Sequence, residues 1–138
     1  MKKVLTLVMA ALFLAGCSSD DNDEPKVNVD HLQKRWYPES TRLNNGDPQP
    51  YDGHEACGKD YTEFQANNAM REVDVVDCQT DPVVTTGTYT LEDKTLTTSV
   101  GGTTVVYTIK KLNADKLELE TTFNGNTITD IYTSNPSD

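Results

Sequence analysis

The chain has 138 residues, 36% of them hydrophobic, and a formal net charge of -10. This length predicts one domain rather than two, and a domain of this size buries enough surface to form a single core. An acidic chain with no basic stripe between its aromatic residues repels phosphate backbones, which excludes nucleic acid as an expected partner.

The amino terminus has the layout of a secretory signal peptide over residues 1–16. Lys2 and Lys3 precede an apolar run over residues 4–14, which is too short to span a bilayer and has no polar face. The run ends at Leu14-Ala15-Gly16-Cys17, which resembles the lipobox of bacterial lipoproteins at every position. The resemblance implies that Cys17 becomes the first residue of the mature chain and carries acyl chains, palmitate among them, that bind the membrane.

Residues 17–28 are predicted to be a lipidated amino terminus and a flexible acidic tether. Within them, Ser19-Asp20-Asp21 resembles the acidic export signal that follows the lipidated cysteine in Bacteroidetes-type lipoproteins. That resemblance implies an outer-membrane protein that faces the cell exterior. The alternative location is the periplasmic face of the same membrane.

Residues 29–138 are predicted to form one all-β domain. A helical turn at Val29, Leu32 and Trp36 leads into short runs rich in Thr, Val, Tyr and Ile, separated by turn pairs. Residues 44–50 are predicted to be a loop, and Asn124-Gly125 is the strongest hairpin signal. The predicted strands are Trp36–Leu43, Asp60–Gln65, Ala69–Cys78, Thr86–Leu91, Thr95–Val100, Thr103–Leu112, Lys116–Phe123 and Thr127–Thr133. A helix over Glu63 to Asp74 is the alternative there, and β-branched Val73, Val75 and Val76 argue against it.

The short connections force neighbouring strands to be antiparallel and in up-and-down order. Since no predicted helix is long enough to cover a sheet face, the sheet must close on itself to hide its apolar side. Eight strands are enough to close a barrel around side chains or one small ligand. We therefore predict an eight-stranded up-and-down antiparallel barrel, with a two-sheet β-sandwich as the alternative.

The cysteines that remain after lipidation predict a disulfide between Cys57 and Cys78 in an oxidising compartment. A hairpin centred between Asn67 and Asn68 places the two directly opposite each other, at a position where Cα atoms lie about 4.5 Å apart. A thiol nucleophile or a zinc site is disfavoured, because no second pair of ligands is nearby.

The same register has one unfavourable consequence. It places Glu63 directly opposite Glu72, and like charges at opposed positions destabilise a sheet. A bulge near Gly58 or a slipped turn would relieve the repulsion, so the register stays open.

These features together resemble the lipocalin-like lipoprotein domains of Bacteroidetes. One position departs from the pattern: the Gly usual two places before the Trp is Lys34 here. The resemblance implies a barrel and, less directly, an internal pocket, without identifying the ligand. It rests on Leu32, Trp36, Cys57-Gly58-Lys59-Asp60, Phe64, Cys78, Gly87-Thr88-Tyr89-Thr90-Leu91, Leu96, Leu112, Leu117 and Tyr132.

The sequence holds no recognisable catalytic, metal or cofactor motif, so we expect a binding protein rather than an enzyme. His54 is predicted to be a solvated loop histidine, and carboxylate pairs such as Asp74 with Asp77 or Glu118 with Glu120 are predicted to mark solvent-facing strand surfaces.

The candidate pocket residues are Trp36, Phe64, Tyr89, Tyr107 and Phe123. They predict a wall that is largely apolar with a few hydroxyls, suited to a small hydrophobic or amphipathic molecule. The alternative is a non-enzymatic surface module that contacts a partner protein or a glycan through its loops, with a filled barrel and exposed aromatic residues such as Tyr51.

Overall fold

The structure is a computed structural model that describes residues 27–137. The predicted signal peptide, Cys17 and all but the end of the tether lie outside these residues. The elements are α1 Val29–Leu32, β1 Arg35–Leu43, β2 Gln49–Pro50, β3 Tyr61–Phe64, β4 Ala69–Asp74, β5 Val83–Glu92, β6 Thr95–Val100, β7 Thr103–Leu112, β8 Lys116–Phe123 and β9 Asn126–Thr133.

The sheet closes into an eight-stranded antiparallel barrel. From β3 onward each strand pairs with the next, β1 pairs with β3, and β9 returns to pair with β1 from Tyr37 to Leu43. The short β2 pairs with β1 at Ser40 and Thr41, so a strand lies inside the segment predicted to be a loop. The barrel prediction is confirmed, and the sandwich alternative is wrong because the first and last long strands are hydrogen-bonded to each other.

The core fills the end of the barrel at which β1 begins. Leu32 of α1 is fully buried there beside Trp36, and the indole Nε1 of Trp36 donates a hydrogen bond to the Leu32 carbonyl at 2.9 Å. The predicted helical turn thus closes this end of the barrel. The other buried core residues are Phe64, Met70, Tyr89, Leu96, Ile109, Leu117 and Leu119.

The observed register of β3 and β4 differs from the prediction by one residue. Glu63 lies opposite Arg71, and Glu72 lies opposite Thr62. The one-residue slip replaces the predicted Glu63–Glu72 repulsion with an ion pair between Glu63 and Arg71. Because side chains alternate between faces, the slip also turns Glu72 toward the barrel interior.

Strand β4 ends at Asp74, four residues before the predicted end at Cys78. The physical reason is a side-chain contact: the backbone N–H of Val75 donates to the carboxylate of buried Asp60 at 2.7 Å instead of to a neighbouring strand. The predicted disulfide between Cys57 and Cys78 is present, with Cα atoms 5.6 Å apart. It joins two loops, however, and not two opposed strand positions.

The turn predicted at Asn124 and Gly125 is confirmed, whereas the hairpin between β3 and β4 is centred on Asn67 and not between Asn67 and Asn68. Asn124 and Gly125 have φ values of 48° and 78°, the left-handed conformation that a two-residue hairpin turn requires. Asn67 and Asn68 also have positive φ, at 60° and 62°, and belong to a short 3-10 helix, Ala66–Asn68, which connects β3 to β4 in place of the longer alternative helix.

Candidate ligand-binding site

Residues that are direct partners in the sheet share a face, so the register identifies the side chains that point into the barrel. The core residue Trp36 is paired with Thr62 of β3, and Thr62 is paired in turn with Glu72 of β4. On the other side, Asp130 is the partner of inward-facing Leu119, and Tyr132 is the partner of Leu117. The inner wall therefore carries carboxylates and hydroxyls beyond the apolar core.

We call the end of the barrel away from α1 the mouth. Its inward-facing positions lie toward the turns that follow β1, β6 and β8. They are Thr41, Leu43, Thr62, Glu72, Asp74, Thr85, Val105, Thr121, Phe123, Ile128 and Asp130.

The predicted pocket residues separate into three groups. Trp36 and Phe64 are buried core side chains at the base of the barrel. Tyr89 is also buried, and its hydroxyl is used within the protein because it accepts from Gln33 and donates to the carbonyl of Gln65. Tyr107 lines the interior as predicted.

Phe123 is not a pocket-wall residue in the predicted sense. It lies at the last position of β8 and is 65% exposed. The alternation of β8 directs it inward, but the barrel ends there and most of the side chain is exposed.

The apolar depth of the barrel is filled. The enclosed space beside Trp36, Phe64 and Met70 has a volume of about 20 Å³, which is room for about one water molecule. Glu72, Tyr107 and Tyr132 also line this space. The lining is largely apolar with a few hydroxyls, as predicted, and Glu72 adds a carboxylate to it.

Four titratable groups of the inner wall have raised pKa values. Burial raises the pKa of Glu72, and it raises the pKa of Asp130 despite a hydrogen bond from the hydroxyl of Thr41. Burial also raises the pKa of Tyr107 and of Tyr132, and the charges of both Asp130 and Glu72 raise each of these pKa values further. Glu72, Tyr107 and Tyr132 line one space, and Asp130 is not among the residues that line it.

No lysine or arginine occupies an inward-facing position of the described strands. The ion pairs that the structure gives for residues 27–137 lie on the outer face of the barrel, including those of Lys110 and Lys116 next to the two strand bulges. These pairs are Arg35–Glu63, Arg71–Glu63, Lys110–Glu120 and Lys116–Glu39.

The rim of the mouth is apolar. Leu43, at the end of β1, is 55% exposed, and it pairs with Ile128 on β9. Ile128 in turn pairs with Thr121, two residues before Phe123 on the same face of β8. Exposed apolar side chains that surround an opening are typical of a binding site.

Comparison with known proteins agrees with this architecture. The family model of the lipocalin-like domain matches residues 32–119, well over half of the chain. The chain belongs to this lipocalin-like family. No curated protein has a significantly similar sequence.

Solved structures of Bacteroides proteins share the fold of this lipocalin-like domain. A lipocalin-like protein from Bacteroides uniformis ATCC 8492 is 12% identical with a TM-score of 0.59, and the alignment covers 76% of this chain and 99% of that one. An uncharacterized protein from Bacteroides eggerthii DSM 20697 is 11% identical with a TM-score of 0.58, over 75% of this chain and 99% of the other.

Bovine odorant binding protein in complex with a selenium-containing odorant is 14% identical with a TM-score of 0.44, over 83% of this chain and 77% of that one.

A hydrogen-bonded loop supports one side of the lipocalin-like barrel. His54 Nε2 donates to the Pro38 carbonyl at 2.9 Å, and His54 Nδ1 accepts from the Asp60 N–H at 3.2 Å. The hydroxyl of Tyr51 donates to the Asp60 carboxylate. The prediction of a solvated histidine is wrong, because both ring nitrogens of His54 bind the backbone.

Two mouth residues, Glu72 and Asp130, were not among the predicted pocket residues. Asp130 could have been found from the period of two in β9, which places it on the same face as Ile128 and Tyr132. Glu72 could not, because its face depends on the one-residue register of β3 and β4. Asp74, predicted to mark a solvent-facing surface, also lies on the inner wall at the mouth.

Two further properties concern residues 27–137 alone. In this part of the chain no three His, Cys, Asp or Glu side chains converge in a metal-binding arrangement. Nor does this part contain a helix with the length and apolar character needed to cross a membrane.

Proposed function

We propose that this lipocalin-like protein is anchored to the outer membrane through Cys17 and binds a small amphipathic molecule in the mouth of its barrel. The observation that carries the proposal is the division of the barrel interior: the depth is packed, whereas the mouth keeps polar side chains in contact with solvent beneath an apolar rim. A ligand with one polar and one apolar part matches these two surfaces.

The family supports binding as the activity, because lipocalin-like proteins typically hold small hydrophobic molecules inside a barrel. Here the filled depth shifts the site toward the opening. The ligand would therefore remain accessible at one end, which suits capture and release rather than sequestration.

Native mass spectrometry of the protein purified from its own host tests the binding function. We expect a mass increase that corresponds to one small molecule and disappears on denaturation. A protein that carries no small molecule when taken from its host, and gains none when incubated with a host lipid and metabolite extract, would contradict the proposal.

The anchor is tested by fractionation of cells that express the full chain or its Cys17→Ala variant. We expect the unaltered chain in the outer-membrane fraction and the variant outside it. Digestion by protease added to intact cells is expected if the domain faces the exterior; protection until the outer membrane is opened would place it on the periplasmic face.

A surface interaction module is the second candidate, and one observation favours it. A groove of about 370 Å³ lies on the outer face of the barrel, lined by Tyr37, Tyr61, Val73 and Val75 and close to the disulfide loops. The aromatic residue predicted for this role, Tyr51, is 38% exposed, but its hydroxyl is bound to Asp60. A stoichiometric protein or glycan in the native mass spectrum would support this function.

A further inference from the structure

We infer that the acidic tether docks onto the outside of its own barrel, with residues 20–24 lying along the groove bounded by Arg35, Lys59 and Tyr61. We call this groove the outer groove. The inference goes beyond the proposed function and does not depend on what binds in the mouth.

The first argument is the charge of the outer groove. It has a volume of about 370 Å³, and its lining within residues 27–137 includes two basic residues, Arg35 and Lys59, and no acidic one. The whole chain has 22 acidic residues and a formal net charge of -10. Two other surface clefts of the barrel contain acids, Glu92 in one and Glu39 in the other. The outer groove is therefore a surface on which an acidic segment meets cations instead of like charge.

The second argument is the set of hydrogen-bond donors that remain free beside the outer groove. Arg35 and Arg71 share the carboxylate of Glu63, and each donates to it through Nε. The guanidinium of Arg71 lies 5.8 Å from the centre of the Tyr61 ring, at the edge of the groove. In the part of the chain that the structure describes, the terminal nitrogens of Arg71 and the ammonium group of Lys59 have no partner. One carboxylate does not neutralise three cations, so the groove can bind further carboxylates.

The third argument is the place at which the described chain begins. Val27 packs against the core at the closed end, in a cleft that it shares with Asn68 of the connection between β3 and β4. These two strands carry Tyr61 and Arg71 of the outer groove. Along β4, Arg71 lies about 10 Å from Asn68 at roughly 3.3 Å per residue, and an extended chain spans about the same distance from Val27 to Glu24. The acids that precede Glu24 can then extend over the length of the groove.

Attachment to the same chain makes weak contacts sufficient for docking. Single ion pairs at a protein surface are weak and are screened by salt, but a short linker gives the segment an effective concentration on the order of millimolar. Residues 20–24 bring four carboxylates, those of Asp20, Asp21, Asp23 and Glu24. Only Ser18 and Ser19 separate this segment from Cys17, so a docked tether would hold this side of the barrel beside the membrane if Cys17 carries the proposed anchor.

Zero-length crosslinking of the full chain, purified in detergent, tests the docking. A carbodiimide joins a carboxylate to an amine only where the two groups are in contact, and mass spectrometry of the digested protein identifies the joined peptides. We expect a crosslink between residues 20–24 and Lys59 that decreases at least about fivefold in 1 M NaCl, where the Debye length falls to about 3 Å. The crosslink of Lys110 to Glu120, whose charged groups lie 3.5 Å apart, is the internal reference for the yield of the reaction.

The positions of the crosslinks decide the result. Absence of the Lys59 crosslink, or tether crosslinks confined to Lys94 in the turn between β5 and β6, would overturn the inference. Equal crosslinking to Lys111, which lies on β7 at the opposite side of the barrel, would also overturn it. In a mixture of isotope-labelled and unlabelled chains, a crosslink that joins the two kinds would place the tether of a second copy on the groove and would refute docking within one chain.

Variants test whether the charges of the outer groove attract the tether. Arg71→Gln is expected to lower the yield of the Lys59 crosslink about threefold or more, as the loss of one surface ion pair does. Arg35 still pairs with Glu63 in this variant, so the fold should persist, and circular dichroism checks that it does. Arg42→Gln is the matched control, because Arg42 lies near the other end of β1, outside the lining of the groove. An unchanged yield in Arg71→Gln, or an equal loss in Arg42→Gln, would contradict the inference.

Discussion

Glu63 and Glu72 lie on opposite faces of one hairpin, and the pKa values of their carboxyl groups shift in opposite directions. Burial alone would raise the pKa of Glu63, but hydrogen bonds from Arg71, Gln65 and Arg35 outweigh burial and lower it. Burial raises the pKa of Glu72, and no cation compensates. The outer glutamate therefore supports the fold, whereas the inner one is held in place at some cost to stability.

This contrast predicts that Glu72→Gln stabilises the protein at neutral pH. Because the folded pKa of Glu72 lies above its unfolded value, the ionised carboxylate opposes folding at high pH and ceases to do so as the pH falls and the group is protonated. The gain in the free energy of unfolding should therefore be present at pH values above the folded pKa of Glu72 and vanish below about pH 4. We expect a gain of less than about 1 kcal/mol, because Glu72 stays in contact with solvent.

Urea denaturation of both proteins at several pH values measures this effect. Tyr107 and Tyr132 line the same space as Glu72, and they are present in both proteins. A variant that is less stable than the unaltered chain at pH 7 would show that Glu72 has a stabilising partner and would contradict the reasoning.

At the scale of elements, the connection between β4 and β5 is held in place by side chains and not by backbone hydrogen bonds between strands. Asp60 accepts the Val75 N–H, and the disulfide joins Cys57 to Cys78 only three residues further on. Val75 also packs over Gly58. These contacts hold both loops against the outside of the barrel near the outer groove.

Removal of the disulfide by the double change Cys57→Ala and Cys78→Ala should destabilise the domain by roughly 3 kcal/mol, the loop-closure value for a separation of 21 residues. The barrel itself should persist, because no strand contains either cysteine. Denaturation followed by circular dichroism, with reduced unaltered protein as the comparison, measures the loss. A loss of native β structure in the double variant without denaturant would instead make the disulfide a condition of folding.

A second change tests the close approach of β5 and β6. A Cβ atom built on Gly87 would lie 2.2 Å from the Ser99 carbonyl oxygen, which belongs to the backbone and cannot rotate away. Gly87→Ala should therefore destabilise the domain by about 2 kcal/mol or more, as overpacking does. Thr88→Ala, at an exposed outward position on the same strand, is the control and should change stability by less than about 0.5 kcal/mol. Comparable losses in both variants would indicate a strand-propensity effect.

At the scale of the whole molecule, closure between β1 and β9 makes the barrel one unit. The two strands pair from Tyr37 to Leu43, across a bulge between Pro38 and Ser40. Trp36 precedes this seam and lies in the core at the closed end. Any opening of the seam exposes the core, so we expect no stable intermediate.

We therefore predict a single cooperative unfolding transition. Fluorescence of Trp36, the only tryptophan in the chain, reports the closed end, whereas far-ultraviolet circular dichroism reports all strands. The two probes should give the same urea midpoint. Separate midpoints would show that the mouth unfolds independently of the core.

The sequence by itself determined the strands from β6 to β9, the hairpin turns and the all-β architecture, because alternation and turn residues act locally. It also predicted the pairing of Cys57 with Cys78, because the resemblance to a lipobox assigns the first cysteine to lipidation and leaves these two. The register of β3 and β4, the packed depth and the acidic mouth were decided only by the tertiary structure. Turn residues alone do not fix the pairing of two strands to a single residue, and the register observed in the closed barrel decides that Glu72 faces the interior.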